Sequence, residues 1–210
     1  LIAVVSVPLG LRAARRTGGI LDAVGTALDQ FCMAVPPFFT GILLSWLFSI
    51  TLHWFVHGQF PDLGTDFFGA VQYLLFAAVA IAIPRIAMTV RMLRSTIQGE
   101  MRKDYVRTAI SRGNDRSEVL RHHVLRNALV PVVTFLAQTM AEIVAASIVV
   151  EQVFAIPGLG RLLVASISNR DYPVVQAIVV ILAFWVVLAN TVADIVNQRI
   201  DPRLRLGGGS

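Results

Sequence analysis

The sequence predicts an all-α integral membrane protein, and three observations carry that prediction. Hydrophobic residues make up 56% of the 210 and charged residues only 15%, with a mean hydropathy of +0.70, whereas about a quarter of an ordinary soluble domain is charged. The apolar residues fall in blocks of membrane-spanning length rather than in short periodic runs. Lys and Arg crowd into alternate connections between those blocks.

Five segments follow in order. Segment A, residues 1–11, is apolar and ends at Arg12, Arg15 and Arg16, as the last turns of a spanning helix do when its arginines reach the headgroups. The opening Leu1-Ile2-Ala3-Val4-Val5 has no initiator methionine, basic n-region or cleavage pattern. It reads as the inside of a helix that began earlier, with one further N-terminal helix missing before it. Residues 20–31 place Leu21, Val24, Leu28 and Phe31 at helical spacing, with Asp22, Asp29 and Gln30 between them. That pattern predicts an amphipathic helix near the cytoplasmic surface.

Segment B has its spanning core at Pro37 to Trp54, entered through Pro36-Pro37. Two successive residues without amide donors must break or kink the helix there. Residues 55–68, with Gly58, Pro61, Gly64 and no Lys or Arg, read as a loop. Segment C runs from about Gly69 to Met92, with Arg85 near enough to its end to snorkel. A polar stretch over 94–126 precedes segment D, Asn127 to Val150, which holds one acid, Glu142. Another loop, Glu151 to Tyr172, leads to segment E, uncharged from Tyr172 through Val192. About 20 residues at 1.5 Å each cover the hydrocarbon layer, so B to E can each cross once. The closing Gly207-Gly208-Gly209-Ser210 has linker composition, which leaves 1–206 as one transmembrane domain.

Orientation follows from the cations. The A–B connection, the C–D connection and the tail hold three, nine and three Lys or Arg, while B–C holds none and D–E two, Arg161 and Arg170. The positive-inside rule therefore places residues 94–126 and the C-terminus in the cytoplasm. Cys32 is the only cysteine, which excludes an internal disulfide framework and a multi-cysteine metal centre. The pair His122-His123 diverges by about 100° on a helix and has no third ligand nearby, so no metal site is expected.

The stretch 94–126 has helix grammar. Tyr105, Ala109 and Arg112 recur at spacings of four and three, Gly113 is a natural stop, and Asp115 with Glu118 forms a capping-box pattern for a second helix. Such a helix-glycine-helix suits a docking surface for a partner protein. A solvated connection that merely anchors orientation is the other reading of the same residues.

Asp104-Tyr105-Val106-Arg107-Thr108-Ala109 through Gly113, then His122, Leu125-Arg126-Asn127-Ala128-Leu129 and Pro131, resembles the cytoplasmic loop of binding-protein-dependent ABC permeases of the dipeptide, oligopeptide and nickel type. Arg107-Thr108 stands where the wider family has an acid and an alanine, and Pro131 comes later than the family's proline; both departures match the peptide subgroup. Glu151 through Leu163, with Pro157-Gly158-Leu159-Gly160, and Arg170-Asp171-Tyr172-Pro173 are similar to the extracytoplasmic loop of the first of the two permeases in such importers. Val7-Pro8-Leu9-Gly10 resembles the end of the family's second helix, and Asn190, Asp194 and Asp201-Pro202-Arg203 its closing helix and tail.

The resemblance implies a type I ABC importer permease bundle in the bacterial cytoplasmic membrane, multi-pass, importing peptides, with nickel or another small solute as the alternative. It implies four kinds of partner: a second homologous permease subunit, two ATPase subunits, an extracytoplasmic substrate-binding protein and the lipid bilayer. Cofactors are expected to be none on this chain, with ATP and Mg used by the ATPase subunits. The sequence agrees, having no G-x-x-x-x-G-K-[ST] loop and a single lysine, Lys103. The resemblance makes Tyr105, Arg107, Thr108, Ala109, Arg112, Gly113 and Glu118 the ATPase-coupling loop, where small residues allow close approach.

An intramembrane acid is costly, so Glu142 either faces the translocation path or serves packing through a hydrogen bond within the bundle. A membrane-embedded enzyme would need a nucleophile with a base, yet the serines at 6, 45, 49 and 147 have no basic partner in view. A nucleic-acid-binding loop would need a stacking platform, and Tyr105 is the only aromatic residue between Arg91 and Arg126, so no nucleic acid is expected.

Overall fold

The computed structural model describes residues 1–15 and 19–200. Arg16, Asp201-Pro202-Arg203 and the linker-like 207–210 lie outside the described residues. All regular structure in the described residues is helical: α1 (Ile2–Arg15), α2 (Ile20–Ala34), α3 (Pro37–Ser45) continuing as a π-helical turn (Trp46–Thr51), and α4 (Phe67–Glu100). After these come α5 (Asp104–Ser111), α6 (Arg116–Val119) leading through a π-helical turn (Leu120–Val124) into α7 (Leu125–Phe154), then α8 (Leu159–Ser168) and α9 (Tyr172–Ile200).

Three of these helices are long and apolar enough to cross a membrane: α4, the continuous run Ser117–Phe154, and α9 over Tyr172–Val196. The pair α2–α3 passes the same test only when its two bent helices are counted as one span. Segments C, D and E are thus long enough to cross on their own, while α1, at 14 residues, covers only about 20 Å. The Pro36-Pro37 break appears as expected. Pro36 takes an extended φ of −64° and ψ of 148° outside the helix, Pro37 opens α3 at the first position, where no amide is needed, and the two helices meet at 98°.

That right angle sends α2 along the membrane surface when α3 crosses. The face it exposes carries Ile20, Val24, Leu28 and Phe31, the stripe of an interfacial helix. Its polar side is fastened to α4, where Arg94 donates to Asp22 (2.7 Å) and to Thr26 Oγ1 (2.8 Å).

Helix α4 is the hub, packing against α1, α2, α3 and α7. Two cores lie along it. Near its C-terminal end Leu93, Ile97, Val106, Val119, Val124, Ala128 and Val132 are fully buried together. Toward its other end Tyr73, Phe76 and Phe154 pack with Phe48, Phe55 and Phe60, the Phe48–Phe76 and Phe55–Tyr73 centroids lying 4.7 and 4.9 Å apart. Buried Tyr73 donates its hydroxyl to the Phe154 carbonyl (2.5 Å) and accepts from the Gly58 amide (3.1 Å). One phenol thereby closes the end of α7 and pins the 52–66 connection, each bond contributing about 1 kcal/mol.

Four expectations need correction. Ser45, read as having no basic partner, shares a hydrogen bond with His57 Nδ1 (2.7 Å). The spanning helix does not end near Met92: α4 runs on to Glu100. Loss of hydropathy does not end a helix, and the backbone bonds continue where charged side chains can reach water. The Glu151–Tyr172 connection is likewise mostly helical, with α7 extending to Phe154 and α8 filling Leu159–Ser168. Finally, Arg85 does not snorkel past a nearby helix end; it pairs with Glu142.

Candidate functional site

Between the C-terminal end of α4 and the start of α7, α5 sits as a short cross-piece. Asp104 opens it in the favourable first turn, and its end is a complete Schellman motif. The Gly113 amide donates to the Ile110 carbonyl (2.9 Å) and the Asn114 amide to the Ala109 carbonyl (3.3 Å), which requires Gly113 at positive φ, here +91°. The stop predicted at Gly113 is therefore where the chain turns. Asp115 then caps the next helix by accepting from the Ser117 amide (3.0 Å).

One apolar residue holds α5 down. Val106 is 1% exposed and packs into the core at this end of the bundle, with half-buried Ala109 beside it. Arg107, Thr108, Arg112, Gly113 and Glu118 are exposed. Tyr105 is 37% exposed and donates to Glu100 Oε2 (2.8 Å).

Glu100, at the last turn of α4, is a residue the sequence reading missed. It also receives the Lys103 ammonium, and the Asn127 amide donates to the Tyr105 hydroxyl (3.4 Å). The ends of α4, α5 and α7 are joined through this carboxylate. Burial above all, assisted by the bond to Glu100, holds the Tyr105 phenol above its ordinary value, so it remains a donor. The run Asn127-Ala128 was legible as motif, but nothing in sequence spacing marks Glu100 as its partner.

At the opposite end, most of the residues singled out from sequence in the 151–172 connection have a local structural task. Glu151, still on α7, accepts from the amides of Gly160 (2.8 Å) and Arg161 (3.2 Å), so it caps α8 from outside that helix. Gly158 and Gly160 leave room for that carboxylate: a Cβ on Gly158 would fall 2.3 Å from Glu151 Oε2, and one on Gly160 2.5 Å from Ile148 Cα. Pro157 is exposed in the turn between α7 and α8. Arg170 occupies the left-handed region at φ 58°. It ends α8 through a second Schellman pair, the Arg170 amide donating to Ile167 and the Asp171 amide to Ser166. Asp171 then accepts from the Val174 amide (3.4 Å), the cap of α9.

Between the two ends, Arg85 of α4 and Glu142 of α7 form an ion pair. Arg85 lies roughly 27 Å from the start of α4 and roughly 22 Å from its end, beside a residue of the apolar part of α7. Its side chain is 19% exposed and that of Glu142 56%.

The sequence profile described as "Binding-protein-dependent transport system inner membrane component" matches residues 6–206. The chain is 38% identical over 202 residues to the oligopeptide transport system permease protein AppB of Bacillus subtilis, covering 95% of this chain and 64% of that protein. It is 35% identical over 228 residues to the dipeptide transport system permease protein DppB of Escherichia coli K12, covering 96% of this chain and 66% of that protein. The chain spans just under two thirds of the length of these relatives.

Proposed function

Because the chain belongs to the family of binding-protein-dependent transport system inner membrane components, we propose that it is the membrane-spanning part of a permease subunit that moves di- and oligopeptides inward across the bacterial cytoplasmic membrane. The observation that carries the reading is α5, an exposed helix held rigidly by Val106 and Glu100 on the ends of two spanning helices. A partner that grips its outer face, with Arg107, Thr108, Arg112 and Glu118, moves α4 and α7 with it. That partner is an ATPase subunit, which hydrolyses ATP with Mg. Two such subunits, a second homologous permease and an extracytoplasmic binding protein complete the importer, and the names of the relatives support the peptide as solute.

The test is uptake. The full-length protein, assembled in vesicles with its partner permease, ATPases and binding protein, is expected to accumulate labelled dipeptides or oligopeptides only when ATP is supplied to the cytoplasmic side. Nickel accumulation without peptide accumulation would move the assignment to the metal-importing branch.

Orientation has its own test. Residues 94–126 and the C-terminus face the cytoplasm in this proposal, and 55–68 and 151–172 face outward. Asp66 and Asp115 both cap helices, so the cysteine reporters belong beside them, at exposed Leu63 and Asn114. An impermeant thiol reagent added to intact cells lacking Cys32 is expected to label Leu63→Cys alone. Labelling of Asn114→Cys would invert the topology.

A further inference from the structure

Glu142 poses a question that its ion pair does not answer. Arg85 covers one side of the carboxylate, yet the side chain remains 56% exposed at spanning depth. Ionisable groups at that depth meet water or protein rather than lipid. The surroundings indicate which. Exposed residues on this part of α7 include Gln138, Glu142, Ala145 and Val149, and their spacings of four, three and four put them on one helix face. That face offers an amide, a carboxylate and a methyl in succession. By contrast, α9 exposes Val180, Phe184 and Val187 in succession between Gln176 and Thr191, an apolar stretch suited to acyl chains.

We propose that the Gln138–Glu142–Ala145 face of α7 lines an aqueous path, and that Arg85 and Glu142 act there together as a charge-balancing pair that lets charged peptides of either sign pass. The reading of the chain as a peptide permease underlies the second half of this. With both partners present, the fixed charge at that depth sums to zero, so neither a cationic nor an anionic solute meets a net barrier. Removing one partner leaves the other uncompensated in a region of low dielectric, where a like-charged solute is repelled. Arg85 is then a specificity-determining residue.

Two measurements on the assembled transporter test this. In nanodiscs open to both sides, on a background without Cys32, a charged thiol reagent is expected to modify Gln138→Cys and Ala145→Cys and to spare Phe184→Cys on α9. Absence of modification at 138 and 145, with and without ATP, would mean that protein or lipid covers this face, and overturns the inference.

The second measurement is ATP-driven uptake of three tripeptides of equal length, carrying one lysine, one glutamate or neither. Glu142→Gln is expected to lower the uptake of the lysine peptide relative to the neutral one by about tenfold, and Arg85→Gln to do the same to the glutamate peptide. The double variant Arg85→Gln/Glu142→Gln keeps the balance and is expected to return both ratios to near parental values. Equal loss for all three peptides in both single variants, with the amount of assembled complex reduced in step, would make the pair a structural clamp and overturn the charge-balancing role. A parental complex that moves none of the three would refute the peptide-permease reading instead, and the thiol measurement would still decide whether the face is aqueous.

Discussion

Replacing Gly160 by alanine is expected to unseat α8 from α7. The added Cβ would lie 2.5 Å from Ile148 Cα and 3.0 Å from Glu151 Oε2. The first of these is backbone in the middle of a helix and cannot step aside as a side-chain tip can. Either α8 lifts, or α7 bends near Ile148. Lifting also separates the Glu151 carboxylate from the two amides it accepts, so overpacking and a lost cap act together, at about 3 kcal/mol. Thermal unfolding of the solubilised complex and protease access to residues 155–172 would both report it. Gly99→Ala is the control, because a Cβ there meets nothing within 4 Å and alanine favours the helix. Equal stability of the two variants would show that α8 does not dock as described.

Gly113→Val has the larger functional effect. A Cβ at Gly113 meets nothing within 4 Å, so crowding inside the chain is not the obstacle; the obstacle is φ at +91°. A β-branched residue resists that conformation at a cost of about 2 kcal/mol, and opening the Schellman turn releases the carbonyls of Ala109 and Ile110. The outer face of α5 then loses its fixed presentation. The expected phenotype is a permease inserted at normal levels and correctly oriented, whose solute-stimulated ATP hydrolysis falls about tenfold, since 1.4 kcal/mol already corresponds to a factor of ten. Gly113→Asn, which tolerates the left-handed region, is expected to retain most of the stimulation. Full stimulation in the valine variant would return residues 104–113 to the role of an orientation anchor.

The features legible in the sequence were those written in local chemistry. Pro36-Pro37 announced the break between α2 and α3, and Gly113 with Asp115 announced the turn after α5, because each acts through its own backbone. The hydropathy blocks located the spans for the same reason. The end of α4 at Glu100 was misplaced because polarity says where a helix meets water, not where its hydrogen bonds stop. The remaining gaps are contacts between distant positions. Arg85 and Glu142 lie 57 residues apart in the chain, and no periodicity joins them. Glu151 looked like a loop residue because its task, closing the start of α8, belongs to a helix that had not been anticipated.

The 98° break after α2 also has a consequence for the lipid around the protein. The nine residues of α3 and the six of its π-helical continuation rise only about 22 Å, against ~30 Å of hydrocarbon. Since Arg94 ties α2 to α4, α2 cannot swing upright to make up the difference. Where α3 crosses, the shortfall is met by a thinner adjoining bilayer, by snorkelling flanks or by a neighbouring helix, at a fraction of a kcal/mol per Å of mismatch. Bilayer thickness thereby becomes a variable to which the stability of this corner of the protein is expected to respond.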